Sequence, residues 1–133
     1  MLLVDTNVLI DLFDEERQWY EWSAGQLRHL SSVHELLINS VIYAELAPAF
    51  ASPHSLDSKI LDLELSFEEI PREALFVAGV AHRHYRQTGG SHESILADFF
   101  IGAHAMVLGC SIMTRDARRY RKHFPLVPLV TPA

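Results

Sequence analysis

Four acidic residues interrupt or end stretches that otherwise read as buried core. Asp5 closes the run LLV, Glu45 lies in SVIYAEL, Asp98 sits in ILADFFIGAHAMVLG, and Asp116 stands two residues beyond CSIMT. An ionised carboxylate keeps its charge in an apolar setting only when something of opposite charge meets it there. The apolar segments themselves carry no Lys or Arg, so the set calls for a hard metal cation. Oxygen-only ligands suit Mg²⁺ or Mn²⁺ far better than zinc. A metal held by carboxylates lowers the pKa of a water and neutralises charge building on a phosphate. The chemistry expected is metal-dependent attack on phosphate.

Each acid has an ordinary alternative. Asp5 could simply cap the helix after a strand, Asp116 could cap the basic helix after it, and a helical Glu such as Glu45 is usually solvated. Asp98 is the sharpest case, because its helix is almost wholly apolar, with His104 the other strongly polar side chain. It shares its side with Gly102 and Ala105, four and seven positions on, where small residues let another backbone approach. The competing account of Asp98 is a favourable place near the helix dipole. One metal site explains all four acids, whereas the ordinary accounts must each hold separately.

The elements that must position them follow from periodicity and punctuation. Leu2 to Asp5 reads as a strand, with Thr6 and Asn7 able to cap a helix beginning near Val8. Arg17 to Val33 is helical, with Trp19, Trp22, Leu27 and Leu30 on one side. Leu36 to Asn39 is a second strand, and Ser40 caps a helix running to Pro48. Helices follow over Ser55 to Ser66 and Arg72 to Gln87, with a short strand Phe67 to Ile70 between them. Ser91 or Ser94 opens the helix carrying Asp98, which stops at Gly109. Cys110 to Thr114 is a strand, Asp116 to His123 a short basic helix, and Leu126 to Val130 a last strand between prolines. Strands alternating with helices imply an α/β fold with a parallel sheet covered on both faces. Such sheets bind ligands beyond the carboxyl ends of their strands, which is where Asp5 and Asp116 fall and where Glu45 and Asp98 can reach.

Bulk properties narrow the class. At 133 residues the chain fits one domain, residues 1–133. With 17 acidic against 11 basic residues, nucleic-acid binding by overall positive charge is not supported, so any such contact must be local. The local candidate is the run Arg115, Arg118, Arg119, Arg121 and Lys122, where arginines can fork onto phosphate and Tyr120 could stack on a base; the alternative is a plain solvated helix face. The single cysteine, Cys110, excludes a disulfide framework and a cysteine-based zinc site and reads as a buried thiol. His82 and His84 are two apart and point to different sides of a helix. Asp11, near Asp5 in sequence, reads with Asp14, Asp57, Asp62 and Glu64 as solvated surface. The amino terminus has no basic start, and no segment reaches the roughly 18 to 20 apolar residues of a membrane span. A soluble, cytoplasmic protein is expected.

These positions, in this order, resemble the PIN domain, and more narrowly the VapC toxins of type II toxin–antitoxin systems. The resemblance rests on LLVDTNVLIDLF, NSVIYAEL, LADFFIGAHAMVLGCSIMTRD and RYRKHFPLVPLVTP, which together span nearly the whole chain. It implies a three-layer α/β/α sandwich with a short parallel sheet and a Mg²⁺- or Mn²⁺-dependent ribonuclease site formed by Asp5, Glu45, Asp98 and Asp116. It also implies that Asn7 and Thr114 order the acids. Further implications are a homodimer and a VapB-like antitoxin that lays a helix into a groove, for which Trp19, Tyr20 and Trp22 are candidates. The basic residues around the fourth acid depart from the acidic or hydroxyl side chains many relatives carry there. Two rival readings stand: a PIN-fold module that binds without catalysis, and a haloacid dehalogenase-like phosphatase. The latter needs a second Asp two residues after the first, and Asn7 holds that position.

Overall fold

The computed structural model describes residues 1–90 and 96–132. The elements run β1 (Leu2–Val4), α1 (Thr6–Asp11), α2 (Tyr20–Leu30), β2 (Leu36–Ile38), α3 (Ser40–Leu46) with a 3₁₀ turn at Ala47–Ala49, α4 (Pro53–Asp62) and β3 (Ser66–Phe67). They continue with α5 (Arg72–Gln87), α6 (Leu96–Leu108), β4 (Ser111–Met113), α7 (Arg118–His123) and β5 (Leu129–Val130). The strands form one parallel sheet in the order β3-β2-β1-β4-β5. Leu3 of β1 stands opposite Leu37 on one side and Ile112 on the other. Every residue of β1 and β2 is buried, as an all-parallel sheet flanked by helices requires. This is the α/β sandwich the alternation of elements implies.

The topology decides where a ligand can sit. From β1 the chain builds outward through β2 and β3, then returns to the other side of β1 to lay down β4 and β5. The order therefore reverses between β1 and β4, and the crevice beyond their carboxyl ends is the switch point of the sheet. Asp5 follows β1, and Thr114 to Asp116 follow β4.

The caps of α1 and α3 sit one or two residues earlier than the sequence suggests. Asp5, not Thr6 or Asn7, caps α1: it is extended (φ −67°, ψ 152°) and its carboxylate accepts from the Thr6 N–H. Asn39, not Ser40, caps α3 by accepting from the Ile42 N–H. The side chains of Thr6 and Asn7 are thereby released for other partners. Ser52 and Ser55 form a reciprocal capping box at α4, two residues ahead of the expected start, and α5 matches its expected span. The expected opening of the next helix at Ser91 or Ser94 lies outside the described residues.

Several elements are shorter than their apolar runs. The last strand is confined to Leu129–Val130, because Pro125 and Pro128 have no N–H to give a ladder. Helix α7 begins at Arg118 instead of Asp116, since the Asp116 N–H is turned back onto the Thr114 hydroxyl at 3.0 Å. Helix α2 begins only at Tyr20, and β3 ends at Phe67.

Helix α6 is the central buried helix, with Phe99, Ile101, Gly102, Ala103, His104 and Ala105 all buried. Against it packs α5, whose Ala74 and Ala78 are fully buried. What approaches Gly102 is the ring of Phe124, not a backbone; a Cβ at Gly102 would run into that ring. The glycine thus lets the end of α7 settle against α6. Gly109 ends α6 in the left-handed region at φ +71°. Cys110 is buried, and burial pushes its thiol pKa up, so it is the inert core thiol expected. No helix among the described residues is long and apolar enough to cross a membrane.

Candidate active site

Asp5 is the centre of the switch-point crevice. Its backbone N–H donates to the Met113 carbonyl at 2.9 Å, locking the end of β1 to the end of β4. Its Oδ1 accepts from the Thr6 N–H at 2.8 Å. Its Oδ2 accepts from the hydroxyls of Thr114 at 2.8 Å and Tyr120 at 3.0 Å, and more weakly from Asn7 Nδ2 at 3.4 Å. Asp5 is only 5% exposed, and that burial, reinforced by the negative charge of Asp98, raises its pKa from 3.8 to about 6. The hydrogen bonds from Thr114, Tyr120 and the Thr6 N–H pull the other way and do not win. Desolvation dominates because hydroxyl dipoles only partly replace the lost water.

Thr114 and Asn7 form a closed relay around that carboxylate. The Thr114 hydroxyl donates to Asp5 while accepting from Asn7 Nδ2 at 3.2 Å and from the Asp116 N–H at 3.0 Å, which uses its one proton and both lone pairs. Asn7 Oδ1 accepts from the Arg115 N–H at 3.0 Å, fixing the amide's orientation. These two residues hold Asp5 and the chain leading to Asp116 in one register.

The other acids reach this centre by different routes. Glu45 extends from α3, and its Oε1 accepts the Thr6 hydroxyl at 2.6 Å, so the residue after Asp5 bridges the two acids. Asp98 lies in the first turn of α6 and pairs with Arg119 of α7, Nη1 to Oδ2, at 2.7 Å. Its charge is felt by both Asp5 and Tyr120. Asp116 is exposed; its backbone is tied to Thr114, and its charge acts on Arg119. Among the described residues no three acidic, histidine or cysteine side chains already stand close enough to grip an ion. The donor set is nevertheless oxygen-only, and mutual repulsion with Asp98 raises the pKa of a buried Asp5, a penalty that a divalent cation relieves.

Two residues of this site have other roles than the sequence suggests, a base-stacking ring for Tyr120 and a helix cap for Thr6. Tyr120 is buried and donates to Asp5, so it does not offer its ring to a base. Burial first, then the charges of Asp5, Asp98 and Glu45, push its phenol pKa well above the ordinary value. The signal was its position as the lone apolar-bodied side chain in RRYRKH, which marks the inward face of that helix. Thr6 is the other, and nothing in its sequence context distinguishes its hydroxyl from a capping one.

Asp11 is not solvated surface. It is fully buried, with Arg115 donating to it at 2.7 and 3.1 Å, Ser23 at 2.7 Å and Arg17 at 3.3 Å. The Arg115 guanidinium also lies 5.9 Å from the centre of the Trp19 ring. Arg115 is therefore a structural clamp between α1 and the loop after β4, while Arg119, half exposed, pairs with Asp98 and Arg118, Arg121 and Lys122 face solvent. These three line a cleft of about 630 Å³ with Asp116, Thr131 and Pro132. Trp19 packs edge-on against Trp22, 6.5 Å between ring centres. Of the three candidate groove aromatics only Tyr20 lines the cleft of about 340 Å³ between α2 and α4, together with Leu12, Leu27, Leu63 and Leu65. His104 is buried, and its Nδ1 accepts from Asn39 Nδ2 at 3.1 Å, because Asn39 Oδ1 is already taken by the Ile42 N–H. Among the described residues its Nε2 has no partner, and burial pushes its imidazole below the ordinary pKa.

A five-stranded parallel sheet flanked by helices, with the buried Asp5 carboxylate at its central switch point, defines an α/β domain. Residues 2–124 match the PIN domain, and the chain belongs to that family. Similar solved structures include VapBC2 from Rickettsia felis bound to a promoter DNA fragment, at 17% identity, TM-score 0.74 and coverage of 99% of this chain and 98% of that one. VapBC-1 from nontypeable Haemophilus influenzae gives 15% identity, TM-score 0.71 and coverage of 98% and 96%. A toxin–antitoxin complex from Klebsiella pneumoniae gives 21% identity, TM-score 0.67 and coverage of 100% and 98%. No curated protein matches the chain significantly. Membership of the PIN family leaves no place for the phosphatase reading.

Proposed function

We propose that this chain is a Mg²⁺- or Mn²⁺-dependent endoribonuclease toxin of the VapC kind, acting on RNA in the cytoplasm and held in check by a VapB-like antitoxin. The observation that carries the reading is the state of Asp5: a buried carboxyl at the switch point, pushed up to about 6 and within the field of Asp98. A protein keeps such an unfavourable charge where function needs it. Asp5 and Asp98 would hold the ion, with Glu45 and Asp116 at its margins. When bound, it would supply an acidified water as nucleophile and neutralise charge on the phosphate.

The chain's own residues do the rest. Thr114, Asn7 and Tyr120 fix the Asp5 carboxylate, and Thr6 orients Glu45 beside it. Arg118, Arg121 and Lys122 offer the cleft beside Asp116 a row of phosphate contacts on an otherwise acidic chain. The groove lined by Tyr20, Leu27 and Leu63, with Arg28, Lys59, Asp62 and Glu64 also in its wall, suits an amphipathic antitoxin helix. For the homodimer, α5 presents Leu75, Phe76 and Val80 as exposed apolar side chains, with Met106 on α6.

The test is cleavage of an RNA pool with Mg²⁺ or Mn²⁺ against EDTA, using the purified chain and Asp5→Asn and Asp98→Asn variants shown to be folded. Metal-dependent cuts that vanish in both variants are expected. Undiminished cleavage in both would remove the proposed site, and no cleavage by the native chain with any ion or RNA would favour the non-catalytic binding module.

A further inference from the structure

Arg119 holds a position that its neighbours in the basic run do not share. Among the described residues it alone of the Lys and Arg side chains is ion-paired with one of the four carboxylates at the switch point. The pair is Nη1 to Oδ2 of Asp98 at 2.7 Å, and both partners meet solvent, Arg119 with 45% and Asp98 with 26% of the side chain exposed. The charge of Asp98 also opposes that of a second carboxylate, Asp5, and Asp116 acts on the guanidinium as well. A cluster of like charges is tolerable only with a cation among them. In this arrangement the guanidinium is that cation.

A divalent ion approaching Asp98 needs the same carboxylate. Mg²⁺ binds carboxylate oxygens at roughly 2.0 to 2.1 Å, and an oxygen so engaged would bring the ion close against the guanidinium already resting on Asp98. Two cations crowded on one exposed carboxylate repel each other, so they are alternatives. Nothing buries Arg119 in place: its helix is short and its side chain half in water, so it can leave without unpacking the core. By contrast Arg115, clamped on the fully buried Asp11, cannot.

We propose that Arg119 is a built-in counter-cation that competes with the divalent metal ion for Asp98, setting how much metal the site requires. The inference rests on the metal-site reading above and deepens it. The test is Mn²⁺ binding to the full chain, by calorimetry or by loss of the free-ion spin-resonance signal, for the native protein and for Arg119→Gln, Arg119→Lys, Arg118→Gln and Asp98→Asn. Arg119→Gln should bind Mn²⁺ about two- to five-fold more tightly, the scale of one exposed ion pair. Arg119→Lys, which keeps the charge, and Arg118→Gln, which lies outside the pair, should stay near the native affinity. The gain should shrink in high salt, where exposed pairs are screened. The Mn²⁺ concentration for half-maximal RNA cleavage should fall by the same factor. Equal or weaker Mn²⁺ binding by Arg119→Gln, with Asp98→Asn strongly weakened, would overturn the competition while leaving the site intact. Native affinity in Asp98→Asn would overturn the site itself and the competition with it.

Discussion

Replacing Asp5 by asparagine should make the protein more stable at the same time as it silences the proposed chemistry. In the folded chain the carboxyl titrates at about 6 instead of 3.8, and each pKa unit is worth about 1.4 kcal/mol, so the charged form costs the fold about 3 kcal/mol. The sign follows from linkage. A carboxyl with a raised folded pKa binds protons better when folded, so its penalty is absent below pH 3.8, grows between 3.8 and about 6, and is complete above. Asparagine keeps the cap, since its Oδ1 can accept the Thr6 N–H as Asp5 does, and the Tyr120 hydroxyl can rotate to accept from its amide. Thr114 cannot, because its lone pairs are taken by Asn7 Nδ2 and the Asp116 N–H, nor can Asn7, whose own Oδ1 is held by the Arg115 N–H; these mismatches trim the expected gain to about 1 kcal/mol. The assay is urea and thermal unfolding of both proteins in EDTA from pH 4 to 8. At pH 8 the variant should melt several degrees higher, given roughly 3 to 5 °C per kcal/mol for a domain this size. The difference should fade as pH drops through 6, and comparing the two proteins at each pH cancels the titration of His104, common to both. Adding Mn²⁺ should close the gap at pH 8 by stabilising only the native chain. A variant no more stable than native at pH 8, or an advantage as large at pH 4, would refute the claim that Asp5 is a desolvated charge.

Three further substitutions separate roles within the basic helix and the loop before it. Tyr120→Phe removes a hydroxyl that donates to Asp5; stability should fall by about 1 to 2 kcal/mol, and the acid limb of the RNA cleavage profile should move to higher pH because the Asp5 charge loses a stabilising partner. Arg115→Ala leaves Asp11 buried with only Ser23 and the half-exposed Arg17, and should cost about 3 kcal/mol in urea unfolding. Arg121→Ala should leave unfolding unchanged while weakening RNA binding and lowering its salt dependence by about one ion.

Much of the fold was legible in the residues because it depends on local pattern. The runs LLV and LLI could only be strands buried on both faces, and the apolar length of α6 could only be a central helix. The four acids were legible because each breaks an apolar pattern, but of the four only Asp5 is buried; Asp98 is partly exposed, and Glu45 and Asp116 stand in solvent. Asp11 was not, because VLIDLF is compatible with a helix showing its Asp to solvent, and the arginine that buries it lies 104 positions away. Tyr120 was misread because a tyrosine among arginines looks like surface until the helix is docked on the sheet. Its partner, Asp5, is 115 residues distant.

The sequence by itself determined the element types and the parallel sheet, since periodicity and helix punctuation are properties of short segments. Only the tertiary structure decided the strand order, and with it the reversal between β1 and β4 that joins Asp5 to Thr114 and Asp116. It also sorted the five basic residues after β4 into a clamp on Asp11, a counter-cation on Asp98 and three solvent-facing cations. The physical reason is one of range. Hydrophobic pattern is written within a few residues, whereas a hydrogen bond or ion pair between distant positions exists only after the sheet has fixed the distance between them, and five similar cations in one stretch carry no mark of which carboxylate each will meet.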